Sequence, residues 1–165
     1  MHRLLRRPLL VVALLALLAI GAMGCVPPRP GAIAGPTEQS LLAQVNAQRA
    51  ANGVGPLAWC PTLGHAAVLH SADQAAHNAM SHAGSDGSDT ATRVERAGYR
   101  NWTAVGENVA AGYPGETAVL NAWMNSPGHR ANILNPAYTH VGTGFGAGAG
   151  GTLYWTQDFG RGGSC

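Results

Sequence analysis

The sequence contains no lysine. Ten basic residues face eight acidic ones, and charged residues make up 11% of the chain, about half the usual share. No basic run and no interleaving of basic and aromatic residues is present. That argues against a nucleic-acid surface. There is no His-Glu-x-x-His, so no helix carries a ready-made local metal-ligand set. No Gly-x-Ser-x-Gly elbow surrounds Ser126, and a serine before a proline reads as a helix terminator rather than a nucleophile. Ser81, which precedes His82, likewise has no such elbow. Asp86 and Asp89, with Gly87 between them, lack the distal Glu of an EF-hand loop and read as a turn and a cap. There is no internal repeat. The run from Leu9 to Ile20 falls short of the roughly 20 apolar residues of a spanning helix.

What is present at the front is a targeting segment. His2-Arg3 and Arg6-Arg7 precede the apolar run, and small residues follow it up to Gly24. Residues 1–24 are therefore expected to be a signal peptide, removed before folding. Cys25 stands where a bacterial lipoprotein carries its acylated cysteine, so lipidation at Cys25 would anchor the protein to a membrane. Ordinary cleavage nearby, releasing a secreted domain, is the other reading. Three cysteines are an odd number. With Cys25 lipidated, Cys60 and Cys165 remain, and outside the cytosol they are expected to pair. Residues 25–36 are rich in Pro and Gly and read as a tether. Residues 37–165 then make one domain with one core.

Within that domain, Thr37 is expected to cap a helix bearing Leu41, Leu42 and Val45 and stopped by Asn52-Gly53. Gly55-Pro56-Leu57 makes a turn that delivers Trp59 to the core. Pro61 opens a second helix to about Met80, with Leu63, Ala66, Ala67 and Leu69 on its apolar face. His65, His70 and His77 lie on that helix and read as surface or boundary residues. Ser88 or Asp89 caps a short helix carrying Val94 and ending at Ala97-Gly98. Val105 to Ala111 reads as a strand. Glu116 to Asn125 is helical by the spacing of Val119, Leu120, Trp123 and Met124, and His129 to Leu134 adds a turn or two. Tyr138 to Gly146 is a glycine-laden strand. After the turn Gly148 to Gly151, Leu153, Trp155 and Phe159 alternate with Tyr154, Thr156 and Asp158. Helices followed by a hairpin predict an α+β fold with a small antiparallel sheet covered by helices.

Several pieces resemble one family. His82-Ala83-Gly84, Gly106-Glu107-Asn108, Trp123 with Ser126-Pro127-Gly128-His129-Arg130, Asn132-Ile133-Leu134, Val141-Gly142 and Tyr154-Trp155-Thr156-Gln157-Asp158-Phe159 are similar, in order, to the CAP superfamily. That group holds cysteine-rich secretory proteins, antigen 5 and pathogenesis-related proteins, and the match is closest to its bacterial single-domain branch. The resemblance implies an α-β-α sandwich, secretion, and a cleft lined by two histidines and two acids. His82 and His129 match the histidines and Glu107 the first acid. At the second acid position this chain has Ser126.

Two neutral imidazoles, His82 and His129, make a half-site for a divalent metal such as zinc, completed by water or Glu107, or with Glu107 orienting one ring. The same three residues also suit a buried hydrogen-bonded network that only holds loops together. A Glu-His pair is equally a general base for hydrolysis. Ser126, Arg130 and Asn132 are expected around the cleft, with Asn132 tying the loop of His129. Three readings of function follow. The first is a secreted or envelope-anchored binding module for a lipid, sterol-like or protein ligand. The others are a hydrolase of peptide or cell-wall material, and a structural envelope protein with a vestigial cleft.

Overall fold

The computed structural model describes residues 35–165; the expected signal peptide, Cys25 and most of the tether lie outside them. Helix α1, Pro36–Ala51, begins with Pro36 in its first turn and Gly35 as N-cap. Thr37 is therefore inside the helix rather than its cap. Proline is suited to that place because its missing N–H would have no partner there anyway. A two-residue strand β1, Ala58–Trp59, follows, then α2, Pro61–His77. Asn78 ends α2 in the left-handed conformation, with φ 49°, so the helix stops short of Met80. Asp89 caps α3, Thr90–Ala97, by accepting from the Thr92 amide. Strand β2, Ala104–Ala111, leads to α4, Glu116–Asn125, and α5, Pro127–Ile133. Strands β3, His140–Ala147, and β4, Leu153–Arg161, form the terminal hairpin. Its turn uses Gly150 and Gly151 at φ 76° and 82°, a region open to glycine.

The four strands form one sheet in the order β1-β3-β4-β2. β3 pairs with β4 and β4 with β2, both antiparallel, and β1 joins β3 in parallel. The expected antiparallel sheet thus gains a short parallel edge, made by the residues expected only to carry Trp59 inward. On one face lie α1, α4 and α5. There Leu41, Val45, Leu120, Trp123 and Ile133 pack on Val141, Trp155 and Phe159. On the other face lie α2 and α3, with Leu63, Ala66, Val94 and Tyr99 around Cys60. This is the α-β-α layering that the resemblance implied.

Helix α2 approaches the sheet closely because β3 has no side chains beneath it. A Cβ on Gly142 would collide with the backbone of Leu63 and Gly64, and one on Gly144 with the backbone of Val68. Glycine weakens a strand in isolation, but here it lets a helix backbone sit directly on a strand backbone. The face of α2 in contact is Leu63, Ala67, His70, Ser71 and Gln74, all buried. Leu69 is 45% exposed and is not part of that face. His70 is 1% exposed, against its reading as a surface residue, because it falls on the same stripe as Leu63 and Ala67.

Cys60 and Cys165 are joined, with their Cα atoms 5.0 Å apart across 105 residues of sequence. In the chain-entropy picture, closing so long a loop stabilises the native state by up to about 4.7 kcal/mol.

Gly144→Ala tests the close approach of α2. Overpacking should cost about 1–3 kcal/mol, read as a lower urea midpoint at unchanged slope. An unchanged midpoint would mean that α2 does not rest on β3.

Candidate functional site

The site is built on β2, whose strand partner among the described residues is β4. Glu107 lies opposite Asp158 of β4, and Asn108 opposite Gln157. Alternation then sends Glu107 toward α2 and α3 and Asn108 toward the other face. Gly106 precedes them because the Tyr138 ring occupies the place of its Cβ. The triplet Gly-Glu-Asn thus combines a close approach with one polar group on each face.

Glu107 is the node. Its side chain is 2% exposed. Oε1 accepts from His82 Nδ1 at 2.7 Å, and Oε2 accepts from Arg93 Nη2 at 2.6 Å. His70 Nε2 lies 3.8 Å from Oε2 and 2.9 Å from the Ser81 carbonyl. A carbonyl can only accept, so His70 carries its proton on Nε2 and pins the residue before His82. Burial lowers the His70 pKa, outweighing the attraction of Glu107. His82 donates from Nδ1 to a carboxylate, which in a neutral ring places the lone pair on Nε2. Its side chain is 59% exposed.

Asp158 completes the charge cluster. It is 1% exposed, and no hydrogen-bond donor reaches its carboxylate oxygens. Burial and then the Glu107 charge raise its pKa well above the ordinary carboxylate range. Asp158 is therefore the neutral acid of the pair. Ser126 does stand where the resemblance placed a second acid, yet a second carboxyl group reaches Glu107 from β4.

His129 arrives from the other side. Asn108 Nδ2 donates to the His129 carbonyl at 3.2 Å and to Gln157 Oε1 at 3.3 Å. Asn132 Nδ2 donates to the Glu107 carbonyl at 3.0 Å and to Asn108 Oδ1 at 2.9 Å. These bonds fix the start of α5 against β2. The His129 imidazole is half-buried, and its pKa is lowered by burial and then by His82. Both effects favour the neutral ring. A hollow of about 240 Å³ adjoins it, lined by Met80, Val109, Tyr113, Trp123 and Ser126. Ser126 is the N-cap of α5. Arg130 turns to α1, where its Nη2 donates to Asn52 Oδ1 at 2.9 Å.

His82, Glu107 and His129 thus share one region, with Ser126 and Asn132 beside it. Glu107 accepts on both oxygens and stands behind His82, so the outward donors are two imidazoles. Among the described residues no group of three or more His, Cys, Asp or Glu is arranged to hold a metal. Two imidazoles are fewer than the three or four protein donors of an ordinary zinc site. Sequence reasoning missed His70, Arg93 and Asp158. His70 was visible in the helical period of α2. Arg93 and Asp158 had no local signal, since their role depends on which elements meet.

Two predictions follow from these charges. Glu107→Ala leaves Arg93 and Asp158 without their shared partner, and should cost about 3–5 kcal/mol in denaturant unfolding. A loss within the error of the midpoint would remove Glu107 as the node. The second concerns pH. His70 and His129 titrate lower folded than unfolded, so the unfolded chain gains protons first as pH falls below about 6.5, and stability drops. Asp158 has the opposite sign: its stabilisation is complete below about 3.9 and is lost as pH rises through its raised folded value. On acidification below about 6.5 the two histidines therefore lower the stability while Asp158 raises it, and His70→Gln should make the melting temperature fall less, or rise more, across that window than in the wild type. An identical profile in the variant would contradict the assignment.

The comparisons agree with this architecture. The model of the cysteine-rich secretory protein family, CAP, matches residues 42–159. The chain is 36% identical over 122 residues to the uncharacterized protein YkwD of Bacillus subtilis, covering 74% of this chain and 46% of that protein. It is 32% identical over 123 residues to the uncharacterized membrane protein YlbC of the same organism, covering 74% and 34%. It thus spans less than half the length of both relatives. A solved structure of an extracellular SCP-domain protein from Bacillus anthracis superposes with a TM-score of 0.68 at 30% identity, covering 76% of this chain and 40% of that one. The order of helices and strands, the sheet and the sequence match lead to one statement: the chain belongs to the cysteine-rich secretory protein (CAP) family.

Proposed function

We propose that this domain is an extracytoplasmic binding module whose cleft presents the imidazoles of His82 and His129 to a divalent cation such as zinc, or to a small ligand. The observation that carries it is the His82 Nδ1 bond to Glu107 at 2.7 Å. That bond selects the tautomer and leaves Nε2 as an outward lone pair. A carboxylate bonded to the other ring nitrogen raises the basicity of a ligating imidazole. The apolar hollow beside His129 would take a non-polar part of a lipid, sterol-like or protein ligand. The extracellular description of the Bacillus anthracis protein supports a location outside the cytoplasm, as does the signal-like N-terminus. Lipidated Cys25 would add a membrane anchor.

A second reading rests on the same bond. A Glu-His pair accepts a proton from water at the free nitrogen, the step of a general-base hydrolase acting on peptide or cell-wall material. Water would be the nucleophile in that step, since Cys60 is in a disulfide and Ser126 lacks the surroundings of a nucleophile elbow. A purely structural role accounts for the Glu107 network and makes no use of His82 Nε2.

Zinc titration by calorimetry separates these readings. The domain should bind zinc, and His82→Ala or His129→Ala should each weaken binding by more than about tenfold. Binding should also weaken as pH falls below about 6.5, where imidazoles take up protons. Unchanged affinity in the double variant would rule out the half-site. Cleavage of a peptide or glycan library that vanished with His82 would favour the hydrolase.

A further inference from the structure

The outer edge of β3 is unfinished. Strand β1 pairs with it through Ala58↔His140 and Trp59↔Val141, and Pro61 then takes the chain out of the sheet into α2. Beyond Val141 the edge is vacant among the described residues. The Cys60 amide donates to the Val141 carbonyl, so the odd residues of β3 face outward. The even ones face β4, as the Gly148 amide does in donating to the Thr152 carbonyl. Phe145 and Ala147 therefore turn their N–H and C=O groups away from the sheet, and no bond among the described residues reaches them. Phe145 is 39% exposed, and Ala147 is exposed.

Such an edge is a template for another strand, and proteins usually blunt it with Lys, Pro or an inward charge. Residues 143–147, Thr-Gly-Phe-Gly-Ala, contain none of these. The neighbouring flank of α2 is equally bare. His70 of α2 approaches Glu107 on β2, so Val68 and Ala72, each two residues away, fall on the opposite flank, beside β3. A Cβ on Gly144 would meet Val68, and one on Gly146 would meet Ala72. Val68 is half-buried and Ala72 exposed. Edge and flank together make an uncharged strip with open hydrogen-bonding groups.

The strip also limits what can lie on it. A strand added beside β3 runs next to Val68 and Ala72, and needs small residues on that face. Its other face meets the Phe145 ring, which leans on Trp155 with 5.0 Å between centroids. Among the described residues β3 itself satisfies both conditions, with Gly144 and Gly146 toward α2 and Ala147 on the side of Phe145. A two-fold axis through Gly146 sets Phe145 of each copy opposite Ala147 of the other, large against small. The two residues then exchange both backbone bonds. No charge lies on the strip to repel its copy. A register centred nearer β1 would bring the turn Gly148 to Gly151 of one copy against Trp59 of the other.

We propose that the outer edge of β3 is a self-association surface: two copies of the chain pair antiparallel through Phe145 and Ala147, joining their sheets, with the α2 flanks at Val68 and Ala72 facing each other. β3 and β2 lie on opposite sides of β4, so this surface is apart from the cleft. It and the metal half-site stand or fall independently.

The test is sedimentation equilibrium over a concentration series, on the protein freed of its expected signal peptide, together with amide hydrogen exchange. A shared edge this short makes a weak dimer, with a dissociation constant of about 10 µM to 1 mM. Exchange at Phe145 and Ala147 should slow as the dimer forms. Ala147→Pro removes an outward N–H that β4 does not use, so the fold should survive by far-UV circular dichroism. It should weaken association by about tenfold or more. Phe145→Asp, which places like charges across the axis, should do the same. Leu69→Asp, on another face of α2, should leave association unchanged. A monomer at every concentration overturns the proposal. So does a dimer that both edge variants leave intact, or one that Leu69→Asp disrupts. Slowed exchange at Phe145 and Ala147 that appears only when an extended peptide is added to a monomer assigns the edge to that partner, and overturns self-association too.

Discussion

A single ionised carboxylate inside the protein organises everything around it. Glu107 is almost completely removed from solvent, and an isolated charge there would be prohibitive. Its position is stable because three elements deliver partners to it. α3 brings Arg93, the loop after α2 brings His82, and β4 brings Asp158 in its neutral form. The dependence runs both ways. The loop holding His82 has few apolar anchors: Ala79, Met80, His82 and Ala83 are exposed. It is held by polar bonds, with the Ser81 carbonyl on His70 and the Ser81 amide on Gln74.

The outer edge of β2 supplies the second half of the arrangement. A strand edge exposes a row of backbone groups that need partners. On β2 the carbonyls of Val105, Glu107 and Val109 accept from Tyr138 Oη, Asn132 Nδ2 and Trp123 Nε1. Successive odd residues thus hold the segment before β3, α5 and α4 in turn. Satisfying the edge is the same act as placing His129. Arg49 extends the logic to α1, for its guanidinium is buried against the carbonyls of Gly55, Ile133, Asn135 and Tyr138. Among the described residues its charge meets carbonyl dipoles, and it ties the end of α5 to the end of α1.

Most of the framework was legible because its signals are local. Pro61, the Asp89 cap, the apolar spacing of α4 and the glycine turn before β4 each act within a few residues. The family motifs carried the layering. What was not legible depends on burial of both sheet faces. Tyr154, Thr156 and Asp158 alternate with apolar residues as a solvated face would, yet all three are buried. They are covered because α2 turns an equally polar stripe toward them: Ser71 and Gln74 both bond to Thr156 Oγ1, and His70 lies beside Glu107. Neither stripe alone distinguishes water from a polar partner. The Leu63-Ala67-His70-Gln74 spacing of α2 held that information, and reading only its apolar members hid His70.

The pairing of Glu107 with Asp158 also decides what the cleft offers. Two carboxyl groups directly opposite on neighbouring strands cannot both ionise cheaply when one guanidinium serves them. The charge stays on Glu107, which has Arg93 and His82; the proton stays on Asp158, which has no donor of its own. Glu107 and Arg93 then cancel, and the histidines face the opening without a net negative charge behind them. A carboxylate with His82 on one oxygen and Arg93 on the other has little capacity left to ligate directly. Its effect on the cleft passes through His82, whose outward nitrogen it selects. That gives the buried polar cluster a chemical consequence at the surface that an apolar core of the same shape would lack.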